Sequence, residues 1–156
     1  GSSTSKPTPD EVIAALEKLG GRVKVDKNKA VVSVEIGGTK VTDAGLKHLE
    51  GLTELESLSI SGAKITDAGL EHLKELTSLK GLFIHYTDVT DAGLVHLKGL
   101  TKLEYLDLGF TNVTDAGLVH LKGLTGLKEL YLNDTKVTDA GVKKLQQALP
   151  NCKISH

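Results

Sequence analysis

The chain contains no methionine and no tryptophan, one cysteine, three prolines and five aromatic residues in 156. A single cysteine, Cys152, allows no internal disulfide and leaves the redox compartment open. Lys and Arg number 19 against 20 Asp and Glu. The basic excess that nucleic acid or an anionic membrane surface would require is therefore missing. No apolar run approaches the roughly 20 residues of a membrane span. The missing methionine and the leading Gly1-Ser2 are what a tag-cleavage scar would leave. On that expectation the natural N-terminus, with any signal peptide or lipid anchor, has been cut away.

What the sequence does have is a period. The stretch Val113-Thr114-Asp115-Ala116-Gly117-Leu118-Val119-His120-Leu121 recurs at a step of 24 residues, its copies opening at Val41, Ile65, Val89, Val113 and Val137. A fixed step of this length signals a solenoid, whose units bury their apolar faces only by stacking. Ahead of each stretch stands L-x-x-L-x-L, as in Leu79-Lys80-Gly81-Leu82-Phe83-Ile84. Its last two apolar positions are two apart, so on a strand both face the core and the residues between them face out. Thr42, Thr66, Thr90, Thr114 and Thr138 are placed to cap a helix, with the following Asp43, Asp67, Asp91, Asp115 and Asp139 satisfying free N–H groups in its first turn. Leu46, Leu49 and Leu52, repeated in later copies, are read as the inward face of that helix. Gly51, Gly99 and Gly123 suit a left-handed helix end, although Glu75 occupies that place in the second copy.

One strand and one helix per 24 residues resembles the leucine-rich repeat proteins over roughly residues 30–156. The T-D-A-G-L-x-H-L segments resemble the cysteine-containing subclass, and bacterial proteins with T-D-A-G-L repeats. Where that subclass tends to carry Cys or Asn, this chain has Thr39, Ala63, Thr87, Thr111 and Thr135, whose hydroxyls are expected to bond the stacked backbone. The resemblance implies an α/β leucine-rich repeat solenoid, a right-handed horseshoe of about five strand–helix units with a cap at each end. Residues 1–9 read as a disordered polar linker. Residues 10–29 read as an N-terminal cap: a helix begun by Asp10 and ended by Gly20-Gly21, then a short strand. Residues 30–156 form the array, closed by a degenerate last helix and a truncated strand.

The strands of such a solenoid line its concave face. All five aromatics, Phe83, Tyr86, Tyr105, Phe110 and Tyr131, fall on outward strand positions or on the rim beside them. Exposed aromatics on one face are what binding hot spots use. The expected contact patch is Phe83, His85, Tyr86, Tyr105, Asp107, Phe110, Tyr131, Asn133 and Asp134, in the C-terminal half of that face. His85 and Asp107, with Ser59 or Ser61 one row back, allow a Ser/His/Asp set to be drawn. It lacks the strained nucleophile turn and oxyanion donors that would activate a serine, so no catalytic residue and no cofactor are expected. The histidine column His48, His72, His96 and His120 sits on helices about 8–10 Å apart, too far to share a zinc ion. Each is expected to bond or pack within its own repeat. The aspartate column offers no loop with the six to eight oxygens that calcium takes, and no metal site is expected.

The function read from these features is a non-enzymatic interaction module that binds a protein or peptide partner on its concave strand face. Two alternatives are a structural spacer without a single ligand, and a carbohydrate surface built on Tyr105, Tyr131, Asp107 and Asn133. The domain is expected to be a monomeric part of a longer chain, with no nucleic-acid partner and no membrane span. The family resemblance and the Ser/Thr/Pro linker lean toward an extracytoplasmic setting.

Overall fold

A computed structural model describes residues 5–38, 40–62 and 64–156. Among them, seven strands form one sheet in sequence order: β1 Arg22–Val25, β2 Val31–Gly37, β3 Ser57–Ser61, β4 Gly81–Phe83, β5 Tyr105–Asp107, β6 Glu129–Tyr131 and β7 Lys153–Ser155. β1 pairs antiparallel with β2, and every later pair is parallel. The 24-residue step becomes an exact strand register. Val34, Leu58, Leu82, Leu106, Leu130 and Ile154 are successive partners across the sheet, and the first five are buried in the core. The second inward column, Ile36, Ile60, Ile84, Leu108 and Leu132, is buried behind it. The sheet is open, and the core among the described residues is aliphatic, with no aromatic in it.

The return segments differ from the sequence expectation. Asp43–Leu49, Asp91–Leu97 and Asp115–Leu121 are 3-10 helices, where α-helices were expected. The second unit has one α-turn, α2 (Asp67–Leu70), continued as a 3-10 turn over Glu71–Leu73. The reason lies in the leucine spacing. Leu94, Leu97, Leu100 and Leu103 stand three apart and are all fully buried. A helix of three residues per turn brings every third side chain to one side; an α-helix would rotate them progressively away. Backbone bonds of the same span follow: Leu100 donates to the Leu97 carbonyl and Leu103 to that of Leu100. In the last unit the spacing changes to Val142, Leu145, Leu149, and there the segment is a true α-helix, α3 (Asp139–Ala148).

The Thr and Asp of the T-D-A-G segments do more than cap locally. Asp43, Asp67, Asp91 and Asp115 each reach the next unit and accept two hydrogen bonds from its threonine, while Asp139 meets His156 Nε2 at 2.6 Å. Asp67 takes the Thr90 N–H at 2.7 Å and the Thr90 hydroxyl at 2.5 Å. Asp91 does the same with Thr114, at 2.7 and 2.5 Å. Asp43 bonds Thr66 and Asp115 bonds Thr138 in the same way. The expected capping of its own segment is uneven: Thr138 caps α3 by accepting from the Gly141 N–H at 3.2 Å, Thr90 and Thr114 accept from Ala92 and Ala116 at 3.4 and 3.3 Å, and Thr42 and Thr66 make no cap bond. The glycine follows from this ladder. A Cβ on Gly69, Gly93, Gly117 or Gly141 would overlap the preceding unit's aspartate carboxylate. Gly45 has no such carboxylate before it, and Leu19 of the N-terminal helix packs there instead.

Three smaller expectations change. The N-terminal helix α1 (Pro9–Lys18) is capped by Thr8 and not by Asp10, because Glu11 lies three residues on and completes a capping box, with Pro9 at the first helical position. Gly51 has a left-handed backbone, but Gly99 and Gly123 do not; there Lys98 and Lys122 keep helical angles, and the turn closes when Leu100 and Leu124 donate to the Leu97 and Leu121 carbonyls. In the threonine column, Thr87, Thr111 and Thr135 donate to the carbonyls of Ile84, Leu108 and Leu132 in their own units, not to the stacked neighbour. Each hydroxyl satisfies the carbonyl that ends its own strand segment. Thr39 and Ala63 of that column, and the first four residues of the polar linker, lie outside the described residues.

Two predictions follow from the ladder. Gly117→Ala should cost about 1–3 kcal/mol, the usual range for overpacking a filled site, measured by urea unfolding; an unchanged midpoint would show that the carboxylate moves aside freely. Asp115 is held below the ordinary aspartate value, first by the Thr138 hydroxyl and then by the Thr138 N–H. Its contribution is present above the unfolded-state value and is lost as pH falls through the lower folded value. Asp115→Asn should therefore be less stable than wild type at neutral pH and show a shallower loss in acid. Parallel acid profiles for the two proteins would contradict this.

Candidate functional site

The register turns the expected contact patch into an ordered surface. One outward row runs Ser59, Phe83, Asp107, Tyr131, each the partner of the next across the sheet. The row beside it runs Ser57, Gly81, Tyr105, Glu129, Lys153. Neighbouring strands lie about 4.8 Å apart, so Asp107 has an aromatic residue on each side. Tyr105 is 37% exposed, while Phe83 and Tyr131 are half-buried. The Phe83 ring lies over Gly81, where a Cβ would meet it at 3.0 Å. Tyr131 donates its phenol to Glu129 Oε2 at 2.6 Å, and that bond raises the phenol pKa. Asn133 and Asp134 are exposed at the end of the same row group.

His85 and Asp107 do come together, although not as a catalytic pair. Asp107 Oδ1 accepts from the Gly109 N–H at 2.9 Å. Its Oδ2 lies 3.4 Å from His85 Nδ1, but the angles make no hydrogen bond, and that buried nitrogen has no partner. Among the described residues no side-chain hydrogen bond joins Ser59 or Ser61 to His85.

Beside the strand ends runs a column whose backbone is left-handed throughout: Gly38 (φ 93°), Gly62 (63°), Tyr86 (59°), Phe110 (56°) and Asp134 (56°). The conformation belongs to the repeat. Gly38, Gly62, Tyr86 and Phe110 each donate their N–H to the next row, to the carbonyls of Ser61, His85, Gly109 and Asn133. Glycine adopts such angles without steric cost, and a bulky residue does not. Yet two aromatics stand here, 55% and 43% exposed. Tyr86 and Phe110 stack with ring centroids 4.1 Å apart and planes at 11°, and His85 meets Tyr86 edge-on at 5.6 Å. The repeat alignment carried the signal for this column, since two glycines and an aspartate share it with the rings.

The histidine column behaves unevenly. His72 Nδ1 meets Glu50 Oε1 of the preceding unit at 2.5 Å, so it does not bond within its own repeat as expected, and it holds Glu50 below the ordinary carboxylate range. Among the described residues no group of three or more His, Cys, Asp or Glu side chains could hold a metal ion. Sequence reasoning missed a groove of about 390 Å³ on the opposite face, between the 115–121 helix and α3, lined in part by Leu118, Val119, Ala140 and Leu145. It lies where 3-10 geometry gives way to α-helix.

The repeated frame is that of a known family. The leucine-rich repeat family matches at residues 51–74, 99–121 and 124–145. The fold is similar to an internalin (inlF) from Listeria monocytogenes, with 25% identity over 88% of this chain and 46% of that one, at a TM-score of 0.57. A second internalin from that organism, inlC2, is 21% identical over 99% of this chain and 88% of its own, at 0.52. A leucine-rich repeat protein of Leptospira interrogans is 20% identical over 70% of this chain and 33% of its own, at 0.50. No curated protein matches the chain. The chain has the leucine-rich repeat fold, and it spans less than half the length of inlF. None of its described helices is long and apolar enough to cross a membrane.

A left-handed backbone costs a non-glycine residue roughly 1–2 kcal/mol, while glycine costs about 0.4–1 kcal/mol in unfolded-state entropy and a stacked pair returns about 0.5–1.5 kcal/mol. These nearly cancel. The double variant Tyr86→Gly/Phe110→Gly should therefore unfold within about 1 kcal/mol of wild type. A loss of several kcal/mol in denaturant titration would show the rings to be structural.

Proposed function

We propose that the strand face from β4 to β6, with the Tyr86–Phe110 rim beside it, is the docking surface of a non-enzymatic interaction module for a protein or peptide. Leucine-rich repeat domains generally mediate protein–protein interaction, and the finer assignment rests on one observation. Two large rings stand exposed and stacked in backbone positions where earlier units have glycine. Fold stability gives them no reason to be there, whereas an interface gains from large rigid apolar groups that lose little entropy on binding. Phe83, Tyr105 and Tyr131 on the adjoining rows extend the same surface, with His85, Asp107, Asn133 and Asp134 as its polar members.

The test is selection of displayed random peptides on the wild-type domain, followed by affinity measurement on Tyr86→Gly/Phe110→Gly. Selected peptides should bind the double variant at least about tenfold more weakly, the loss expected at a hot spot. Peptides that bind both proteins equally would place the working surface elsewhere.

A further inference from the structure

The polar centre of that surface is an acid whose one basic neighbour, His85, makes no hydrogen bond to it. Asp107 is half-buried between Phe83 and Tyr131 on the neighbouring strands. One of its oxygens is held by the Gly109 N–H; the other faces His85 without a hydrogen bond. Among the described residues no lysine or arginine pairs with it. Two residues past it, just beyond β5, Gly109 has no side chain to crowd the carboxylate, and a Cβ there would meet Asp107 Oδ1 at 3.1 Å.

Charge on the face is sorted as well. The rows from β4 to β6 and their rim carry Asp107, Glu129 and Asp134, and the ascending loop adds Asp88; Arg22, Lys24 and Lys153 stand on the two outer strands, and Lys80 and Lys128, just ahead of β4 and β6, are paired with Glu56 and Glu104. A half-buried carboxylate among ring faces is short of positive charge, and the rings themselves attract cations. A guanidinium suits this place better than an ammonium. It is planar, bonds a carboxylate through two N–H groups, and stacks on aromatic side chains.

We infer that Asp107 anchors an arginine of the bound segment, its guanidinium on the Asp107 carboxylate and its stem along the side chains of Phe83 and Tyr131. The inference rests on the docking reading above and names the partner's chemistry: a peptide segment with an arginine at one fixed position. Glu129 and Asp134 favour further basic residues on either side, and an acidic segment is repelled.

Asp107→Asn tests this, because it keeps the oxygen that accepts from Gly109 and removes the charge; circular dichroism checks its fold. Peptides selected on wild type should share an arginine at one position. Replacing that arginine by citrulline, its uncharged isostere, should weaken binding to wild type at least about tenfold. On Asp107→Asn the same replacement should change affinity little, so that the two changes are strongly non-additive. A peptide family that depends on Tyr86 and Phe110 but has no arginine, or in which the two changes add, overturns the guanidinium assignment and leaves the docking surface standing. Peptides indifferent to Tyr86→Gly/Phe110→Gly, or no enrichment over an unrelated control protein, overturn both.

Discussion

A carboxylate that accepts two hydrogen bonds from the following unit sets the spacing of this solenoid. Asp43, Asp67, Asp91 and Asp115 each take the N–H and the hydroxyl of a threonine 23 residues further on. Such charge-assisted bonds are short and directional, so they fix both the distance and the rotation between units. Gly69, Gly93, Gly117 and Gly141, one unit further on, leave room for these four carboxylates. Three of the four letters of T-D-A-G thus describe one contact between units, beyond the start of one helix. With the back of each unit pinned, the strands on the front meet in exact register, and every outward position becomes a straight column.

The legible part of the fold was what one unit shows by itself. The alternation of Leu58 and Ile60, or Leu82 and Ile84, identified strand and core, because burial on a pleat depends only on neighbours two residues apart. The 3-10 helices were legible as well, in the strict spacing of Leu94, Leu97, Leu100 and Leu103, but that spacing was read with an α-helical period. The misreading has a physical source: spacings of three and four overlap over a single turn and separate only over several. The inter-unit role of Asp91 was hidden for a different reason. A carboxylate next to a threonine at a helix start has a sufficient local explanation, and nothing within one unit shows that its partner lies in the next.

The site was legible in position and not in conformation. Composition left five aromatics to account for, and the period put each on the outward face or rim. Their left-handed backbone at Tyr86 and Phe110 could be inferred only down the column, from Gly38 and Gly62 above and Asp134 below. Likewise, the adjacency of His85 and Asp107 followed from the register, but the missing hydrogen bond between them depends on angles that no spacing encodes.

The frame and the surface are therefore under separate control. Inward columns hold leucine, valine and isoleucine with little variation, since each must fill the space left by an identical neighbour. Outward columns change from row to row: Ser59, Phe83, Asp107 and Tyr131 occupy one and the same position. A strained residue can persist in such a frame because the ladder bonds on both sides determine its backbone for it. The N–H of Tyr86 donates to the Gly109 carbonyl and that of Phe110 to the Asn133 carbonyl, the same bonds that Gly38 and Gly62 make at no steric cost. The repeat imposes the turn, and the side chain placed on it is free to vary. That freedom lets the array carry two exposed rings and one uncompensated carboxylate on a single face, where a less constrained loop would relax away from the strain and swing the acid into water.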